Sequence, residues 1–307
     1  MIRVPAAALA LAICCGGCAS ASRGAAPPRA SRTTVETYIG QIRALTAAAK
    51  PHAGNGSLAQ SLETWDPRLA AALRDLNASP SAEGHRHVAA EYRRLHVLDM
   101  AYTHFTRAIA LDPRGAAAFD GRARIWRDWG FPHLGLADAY RAAEFAPDSP
   151  VVANTVGTLL AAAGQMRTAR DWYAKALQLD AHATYALNNL CYVDFLAGRA
   201  EARAACEEAA AFGPDSRYAQ QNLALLYAAD GDFDAAQRAF AAAAGPAGDA
   251  EYNMGIVYMA GGQFRKAAAA FGAARRARPA FALAAARQRQ ATTAATREER
   301  ARASQQP

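Results

Sequence analysis

The chain has 307 residues, of which 52% are hydrophobic but only 8% aromatic, and its formal net charge is +7. Alanine, the strongest helix former, supplies much of the hydrophobic fraction, and no long run alternates β-branched and polar residues as strands do. An all-β fold is therefore excluded and an all-α fold is predicted. Arginine carries nearly all the positive charge, which is compatible with an acidic, membrane or nucleic-acid partner and equally with the codon usage of a GC-rich genome.

The first 21 residues, which begin MIRVPAAALALAICCGGCAS, are interpreted as a targeting segment and not as part of the fold. The apolar stretch over 4–13 is too short to cross a bilayer as a helix, and three cysteines follow it. This arrangement resembles a bacterial lipoprotein signal, which implies that Cys18 receives lipid and becomes the mature N-terminus. Three alternatives stay open: lipid on Cys14, cleavage after Ala21 without lipid, and an uncleaved signal anchor.

Two further segments precede the main body of the chain. Residues 22–32, rich in Pro, Ala and Ser, are predicted to form a flexible linker. Apolar residues at helical spacing predict a helix over 33–50, and a second helix is predicted to start with Asp66 as its N-cap and Pro67 in its first turn. Segment 33–81 is therefore interpreted as an N-terminal helical cap or as a degenerate repeat.

Two stretches of the chain nearly repeat each other: FTRAIALDPRGAAA, from Phe105, and YAKALQLDAHATYA, from Tyr173. They start 68 residues apart, which is twice 34. A search at the 34-residue period aligns six registers over 82–281, beginning at residues 82, 116, 150, 184, 217 and 248, with two short slips. A fixed period of this length indicates a stack of helical repeats.

The registers carry the same residue types at the same places. The third register, for example, has Gly157 at its eighth place, Gly164 at its fifteenth and Tyr173 at its twenty-fourth. A small eighth residue lets two helix backbones approach closely, and glycine permits the turn between them. The pattern resembles the tetratricopeptide repeat (TPR) family, which implies an all-α solenoid, a right-handed superhelix of helix–turn–helix units. The polar stretch 282–307 is predicted to be a C-terminal capping helix and tail.

Motifs for catalysis or metal binding are missing from the sequence. No phosphate-binding loop, zinc-protease motif or serine-hydrolase elbow occurs. We interpret four histidines as surface residues, because 85 and 87 point to different faces of a helix and 96 and 104 flank a turn. We therefore predict a protein that is not an enzyme and has no metal, cofactor or small-molecule substrate. An envelope enzyme, or an enzyme accessory protein, with its site in residues 33–80 is the alternative.

Two cysteines, Cys191 and Cys206, follow the targeting segment. They occupy the eighth and twenty-fourth places of the fourth register, on helix faces that pack together within a unit. In an oxidising envelope they are predicted to form a disulfide. The alternative is that both are small buried apolar residues.

The TPR resemblance also implies a binding surface. In that family the first helix of each unit forms the inner, concave wall, and the matching places here carry two kinds of side chain. The aromatic, apolar and amide residues are Asn154, Tyr185, Asn188, Tyr192, Phe195, Tyr218, Gln221, Tyr252, Ile256 and Met259, and the basic residues are Arg86, Arg93 and Arg124. The Lys/Asn pair with which some members bind a terminal carboxylate is missing. The alternative role for each tyrosine is packing between repeats.

These features favour a non-catalytic scaffold that binds a protein segment, apolar at one end and acidic at the other. By resemblance, small outer-membrane lipoproteins of this kind serve pilus assembly, secretion systems or envelope biogenesis. We expect an outer-membrane lipoprotein facing the periplasm, held to the membrane by its N-terminal lipid, with a soluble periplasmic or secreted form as the alternative. A nucleic-acid binder is a further alternative, and the predicted export signal argues against it.

Overall fold

The computed structural model describes residues 66–213, 216–243 and 245–303. Within these ranges it consists of fourteen α-helices and contains no β-strand. The predicted lipidation site Cys18, the signal over 1–21, the linker over 22–32 and the helix over 33–50 all lie outside the described residues. The fold divides into two compact units, whose described parts are 66–181, called here the N-terminal unit, and 182–303, the C-terminal unit.

The N-terminal unit contains seven helices in helix–turn–helix order. They are α1 (Pro67–Ala78), α2 (Ala82–Arg94), α3 (Leu98–Leu111), α4 (Ala116–Asp128), α5 (Pro132–Phe145), α6 (Pro150–Ala162) and α7 (Met166–Leu179). Each helix packs against the next one along the chain, and α4 also packs against both α2 and α6. Three helix pairs therefore stack side by side after α1, and the first helices of the pairs form one continuous layer.

Several helices of this unit begin at a residue whose side chain satisfies free backbone amides. Asp66 Oδ1 accepts hydrogen bonds from two amides of the first turn of α1, at 3.1 and 2.9 Å. Ser81 and Ser149 cap α2 and α6 with their hydroxyl groups. Because a capping side chain contributes about 1 kcal/mol, these residues fix where each helix starts. The predicted N-cap at Asp66 is confirmed.

The turn inside each helix pair requires a left-handed residue. Gly130 and Gly164 have φ angles of 85° and 81°, and the amide of Gln165 donates to the carbonyl of Leu160 at 2.8 Å, which closes the end of α6. The first pair has His96 at this place, with φ of 57°, and it is the sole non-glycine residue with positive φ in the described part of the chain.

Close approach between helices depends on glycine facing an aromatic ring. A Cβ atom added at Gly157 would lie 2.5 Å from the ring of Tyr173, and one added at Gly121 would lie 2.2 Å from the ring of Phe105. Tyr173 is almost completely buried, and burial raises the pKa of its hydroxyl group. The Gly157–Tyr173 contact confirms the role predicted for the small eighth place, and the all-α helical-repeat fold is confirmed.

The C-terminal unit repeats this arrangement. Its helices are α8 (Thr184–Leu196), α9 (Ala202–Phe212), α10 (Arg217–Ala229), α11 (Phe233–Ala242), α12 (Asp249–Ala260), α13 (Phe264–Ala277) and α14 (Ala282–Ala303). Gly255 of α12 faces the ring of Phe271 of α13 as Gly157 faces Tyr173. The last helix, α14, packs on α13 and buries Ala284, Ala291 and Ala295, and its exposed positions are mainly polar. No described helix has the length and hydropathy that a bilayer crossing demands.

Candidate functional site: two walls of first helices

The first helices of the N-terminal unit form a wall in which five arginines lie among two aspartates and three uncharged polar side chains. We call it the basic wall, and its members come from α2, α4 and α6: Arg86, Arg93, Arg94, Asp120, Arg124, Arg127, Asp128, Asn154, Thr155 and Thr158. The layer of first helices holds these side chains next to one another, because α4 lies between α2 and α6. Side chains of adjacent first helices can therefore contact one another along the wall.

One chain of contacts joins all three helices. Arg93 Nε lies 2.7 Å from Asp128 Oδ2, and Arg127 Nη2 lies 3.0 Å from Asp128 Oδ1. Arg127 Nη1 also donates to Thr158 Oγ1, at 3.4 Å. These side chains are between one fifth and one third exposed, so each pair contributes at most about 1 kcal/mol to stability. The main effect of the chain is to fix where the guanidinium groups lie.

A second chain surrounds Asp120. Arg124 Nη2 lies 2.8 Å from Asp120 Oδ2, and Arg124 Nε donates to Thr155 Oγ1 at 3.2 Å. Asp120 is only 9% exposed, and its other oxygen, Oδ1, is shielded from solvent without a hydrogen-bond donor among the described residues. A buried carboxylate oxygen of this kind is uncommon, because its desolvation is not offset by a hydrogen bond.

The wall contains a cleft of about 510 Å³ between α2 and α4. Its lining consists of four arginines, two aspartates, one histidine and small or apolar residues: Arg86, Ala90, Arg93, Arg94, His96, Phe105, Ala117, Asp120, Gly121, Arg124 and Asp128. Arg86 differs from the other arginines, because its nearest carboxylate, that of the highly exposed Glu83, lies 3.9 Å away. The predicted basic residues Arg86, Arg93 and Arg124 thus share one cleft, but two of them already hold close acidic partners.

The first helices of the C-terminal unit form a different wall, called here the tyrosine wall. Its members are Tyr185, Asn188, Tyr192, Tyr218, Gln221 and Asn222. Tyr218 is 71% exposed and Tyr185 is 37% exposed. Asn222 Nδ2 donates to Asn188 Oδ1 at 2.9 Å, which links α10 to α8. This wall presents aromatic rings and amides and has little charge.

Some side chains predicted for this wall lie elsewhere. Phe195 is 4% exposed and Ile256 is 3% exposed, so their assignment to an open binding surface is wrong. Ile256 belongs to an apolar cluster with Phe271 of the second helix, and burial of such a side chain is worth about 2 kcal/mol. The ring of Tyr252 packs against the tilted rings of Phe271 and Phe281, with centroids 5.4 and 4.9 Å away, so it serves mainly to pack the sixth repeat. Met259 lies beside α14.

The two cysteines of the fourth repeat are joined. A disulfide links Cys191 of α8 to Cys206 of α9, and both residues are fully buried. Cys191 stands at the place that Gly157 and Gly255 occupy in other repeats, and Cys206 stands where those repeats have the facing aromatic ring. A covalent bond therefore replaces the glycine–aromatic contact in this repeat.

The interpretation of His104 as a surface residue is wrong. His104 is 4% exposed, and its Nδ1 lies 3.0 Å from Nδ1 of His85, because α2 packs over α3 at this point. Burial, together with the charges of His85 and Arg107, lowers the pKa of His104 to about 4. In the described ranges no group of three or more His, Cys, Asp and Glu side chains is arranged to hold a metal ion.

Sequence reasoning missed Thr155 and Asp128, which organise the basic wall. A signal for them exists in the spacing, since Arg93 and Asp128 are separated by 35 residues and Arg124 and Thr155 by 31. These separations are close to one repeat, and residues one repeat apart on first helices become neighbours. Matching opposite charges at that separation would have identified the Arg93–Asp128 contact, and matching hydrogen-bond donors with acceptors would have identified the Arg124–Thr155 contact.

Comparison with known proteins agrees with this geometry at the level of fold. The structure resembles a chain of the APC/C hetero-tetramer Cut9–Hcn1, with a TM-score of 0.64 and 17% sequence identity over 84% of this chain. It spans 53% of the length of that chain. It also resembles a tetratricopeptide repeat protein from Parabacteroides merdae, with a TM-score of 0.55 and 16% identity over 73% of this chain and 90% of that one.

A third similar structure is PilF of Pseudomonas aeruginosa, with a TM-score of 0.56 and 16% identity over 69% of this chain and 96% of that one. No protein-family model matches the sequence, and no curated protein sequence matches it. The fold and the layered first helices define a helical-repeat protein. Specifically, the chain has the tetratricopeptide repeat fold.

Proposed function

We propose that the chain is a non-catalytic scaffold that binds segments of a partner protein on its first-helix walls. The observation that carries this proposal is the tyrosine wall, where Tyr218 and Tyr185 expose large rings while the apolar residues beside them are buried. Exposed aromatic groups set among amides are typical of protein interaction surfaces, which favour tyrosine over aliphatic residues.

The two walls suit different stretches of partner. The tyrosine wall offers rings for apolar side chains and amides for the backbone of a segment. The basic wall offers guanidinium groups for acidic side chains, although close acids already neutralise several of them. The same neutralisation disfavours nucleic acid, whose binding depends on many unpaired cations. The likeness to a chain of the Cut9–Hcn1 hetero-tetramer supports a role in assembly with another protein.

We also propose that the protein belongs to the cell envelope, as an outer-membrane lipoprotein that faces the periplasm and serves envelope, pilus or secretion-system assembly. The support comes from the targeting segment and Cys18, with the likeness to PilF as a pointer to bacterial relatives of the fold. Metabolic labelling with a fatty-acid probe tests the anchor. Cys18→Ser should abolish the label while Cys14→Ser keeps it, and an unlabelled wild-type chain would contradict the proposal.

The binding role is tested by paired alanine variants of the C-terminal unit. Tyr185→Ala combined with Tyr218→Ala should reduce recovery of the partner about tenfold or more, the loss expected for two central aromatic contacts. Phe212→Ala is the matched control, because Phe212 is 47% exposed but belongs to the second helix α9. Circular dichroism should show the same helicity for all variants. Undiminished recovery with the double variant would contradict the proposal.

A further inference from the structure

The cleft of the basic wall contains a buried acid that the fold leaves incompletely satisfied. Asp120 binds Arg124 through Oδ2, whereas Oδ1 has no donor in the described part of the chain. Asp120 lines the cleft, and its terminal carboxylate torsion is soft, so a ligand reaches Oδ1 through a rotation of the carboxylate that also shifts Oδ2 on Arg124. A ligand that brings one N–H group to this oxygen would supply the missing hydrogen bond.

The same cleft holds a cation with donors to spare. Arg93, Arg94 and Arg124 each have a carboxylate oxygen within 2.8 Å. Arg86 has only Glu83, at 3.9 Å, and that acid is 86% exposed. A contact so long and so exposed competes weakly with a new anion. A carboxylate is the natural partner for a planar guanidinium, because it accepts two hydrogen bonds at once.

The charge left over in the cleft indicates the sign of its ligand. Of the four arginines that line it, all but Arg86 have a close carboxylate partner, so the positive charge at Arg86 is the one that attracts an anionic group. The residues between these charges include Ala90, Ala117 and Gly121, which leave space for backbone atoms. A volume of about 510 Å³ lies within the range of ordinary ligand clefts.

We propose that this cleft binds one acidic residue of a partner segment. Arg86 binds the side-chain carboxylate of that residue, and Asp120 accepts a hydrogen bond from its backbone N–H. An Asp or Glu residue carries both groups a few ångströms apart, which matches a site with one spare cation and one spare acceptor. This inference rests on the proposed function, since it specifies what the basic wall recognises.

The first test is selection of random peptides displayed on phage against the full-length protein. Peptides recovered on the wild type should be enriched in Asp or Glu at one position, and Arg86→Gln should lose this enrichment. Arg141→Gln is the matched control, because Arg141 is exposed and belongs to the second helix α5. This inference would be overturned if the peptides enriched on the wild type lacked Asp and Glu, or if Arg86→Gln enriched the same acidic peptides. Either result would leave the proposed function intact. A wild type that enriches no peptide would overturn both.

The second test isolates the hydrogen bond to Asp120. One enriched peptide is synthesised with and without a methyl group on the backbone nitrogen of its acidic residue. The methyl group should weaken binding to the wild type about tenfold, the usual effect of leaving a buried polar group unpaired, but should have little effect with Asp120→Ala, which has no side-chain acceptor. Equal losses for both proteins would overturn the role of Asp120. Thermal melting of each variant shows whether the fold is retained, and Arg86→Gln tests the site independently of it.

Discussion

At the residue scale, His96 stands where the other repeats have glycine. Its φ of 57° places it in the left-handed region, which costs a residue with a Cβ atom about 1–2 kcal/mol. Glycine loses more entropy on folding, so His96→Gly should raise the free energy of unfolding by about 0.5–1 kcal/mol net. Gly164→Ala is the opposite control and should lower it. Urea denaturation measures both, and a destabilised His96→Gly would contradict the account.

The burial of His104 beside His85 makes stability depend on pH. The folded pKa of His104, about 4, lies below its unfolded value of about 6.5, so the unfolded state takes up a proton first as the pH falls. The contribution of His104 to the free energy of unfolding is fully present above about pH 6.5. It is lost progressively as the pH falls from that value to about 4. From pH 7.5 to 5 the loss should be about 2 kcal/mol.

This pH dependence has a direct control. His104→Phe keeps a buried ring but cannot be protonated, so its free energy of unfolding should fall less between these two pH values than that of the wild type. His133→Gln changes an exposed histidine and should behave as the wild type does. Equal losses for His104→Phe and the wild type would show that other groups cause the effect.

Residues governed by their sequence neighbours were predictable. Asp66 as an N-cap and Gly164 at a turn depend on atoms within a few positions, and the structure places both as expected. His104 and Asp120 were different, because their environments come from other helices or repeats. The contact of His104 with His85 spans 19 positions, and no local pattern reveals such a pairing.

At the scale of the elements, the distance between paired helices depends on the eighth residue of each repeat. Gly157→Val would place carbon atoms within 2.5 Å of the Tyr173 ring, and overpacking of this kind typically costs about 1–3 kcal/mol. Ala137→Val is the matched control on an exposed helix position and should change stability by less than about 0.5 kcal/mol. A tolerated Gly157→Val, judged by urea denaturation, would argue against close helix approach as the reason for glycine.

The fourth repeat is expected to depend on its disulfide. Cys191 and Cys206 enclose a loop of 15 residues, and cross-linking such a loop stabilises by about 3 kcal/mol in the chain-entropy description. Non-reducing peptide mapping by mass spectrometry should recover the two cysteines in one linked peptide. Reduction of the disulfide should then lower the urea concentration at the midpoint of unfolding. Phe212→Ala, which changes an exposed side chain, serves as a reference for a small effect. Two freely alkylated thiols would contradict the assignment.

The helix pairs were predictable from the repeat register, but whether each side chain is buried or exposed was not. Places carried over from the TPR family identified Tyr218 correctly as exposed, whereas Phe195 and Ile256 at similar places are buried. Whether a side chain on a given helix face is covered depends on how closely the adjacent helices approach. That distance follows from the small and aromatic residues of several helices together.

At the scale of the whole molecule, a period of 34 residues was enough to predict an all-α array. A repeat cannot bury its apolar face alone, so a sustained period implies stacking. Net charge was a weaker guide. The value of +7 indicated a broadly basic surface, yet within the basic wall Arg93 and Arg124 lie beside Asp128 and Asp120. Only the structure distinguishes these arginines from Arg86.

The central claim is that first helices bind the partner and second helices do not. Site-specific photo-crosslinking in the native host tests it most directly, with benzoylphenylalanine placed at Tyr218 and, separately, at the exposed second-helix residues Phe212 and Leu111. We predict that the probe at Tyr218 yields one dominant crosslinked protein and that the probes at Phe212 and Leu111 yield none. Excess wild-type protein without the probe should abolish the crosslink at Tyr218. Equal crosslinking from all three positions, or crosslinking from the second helices alone, would contradict the account.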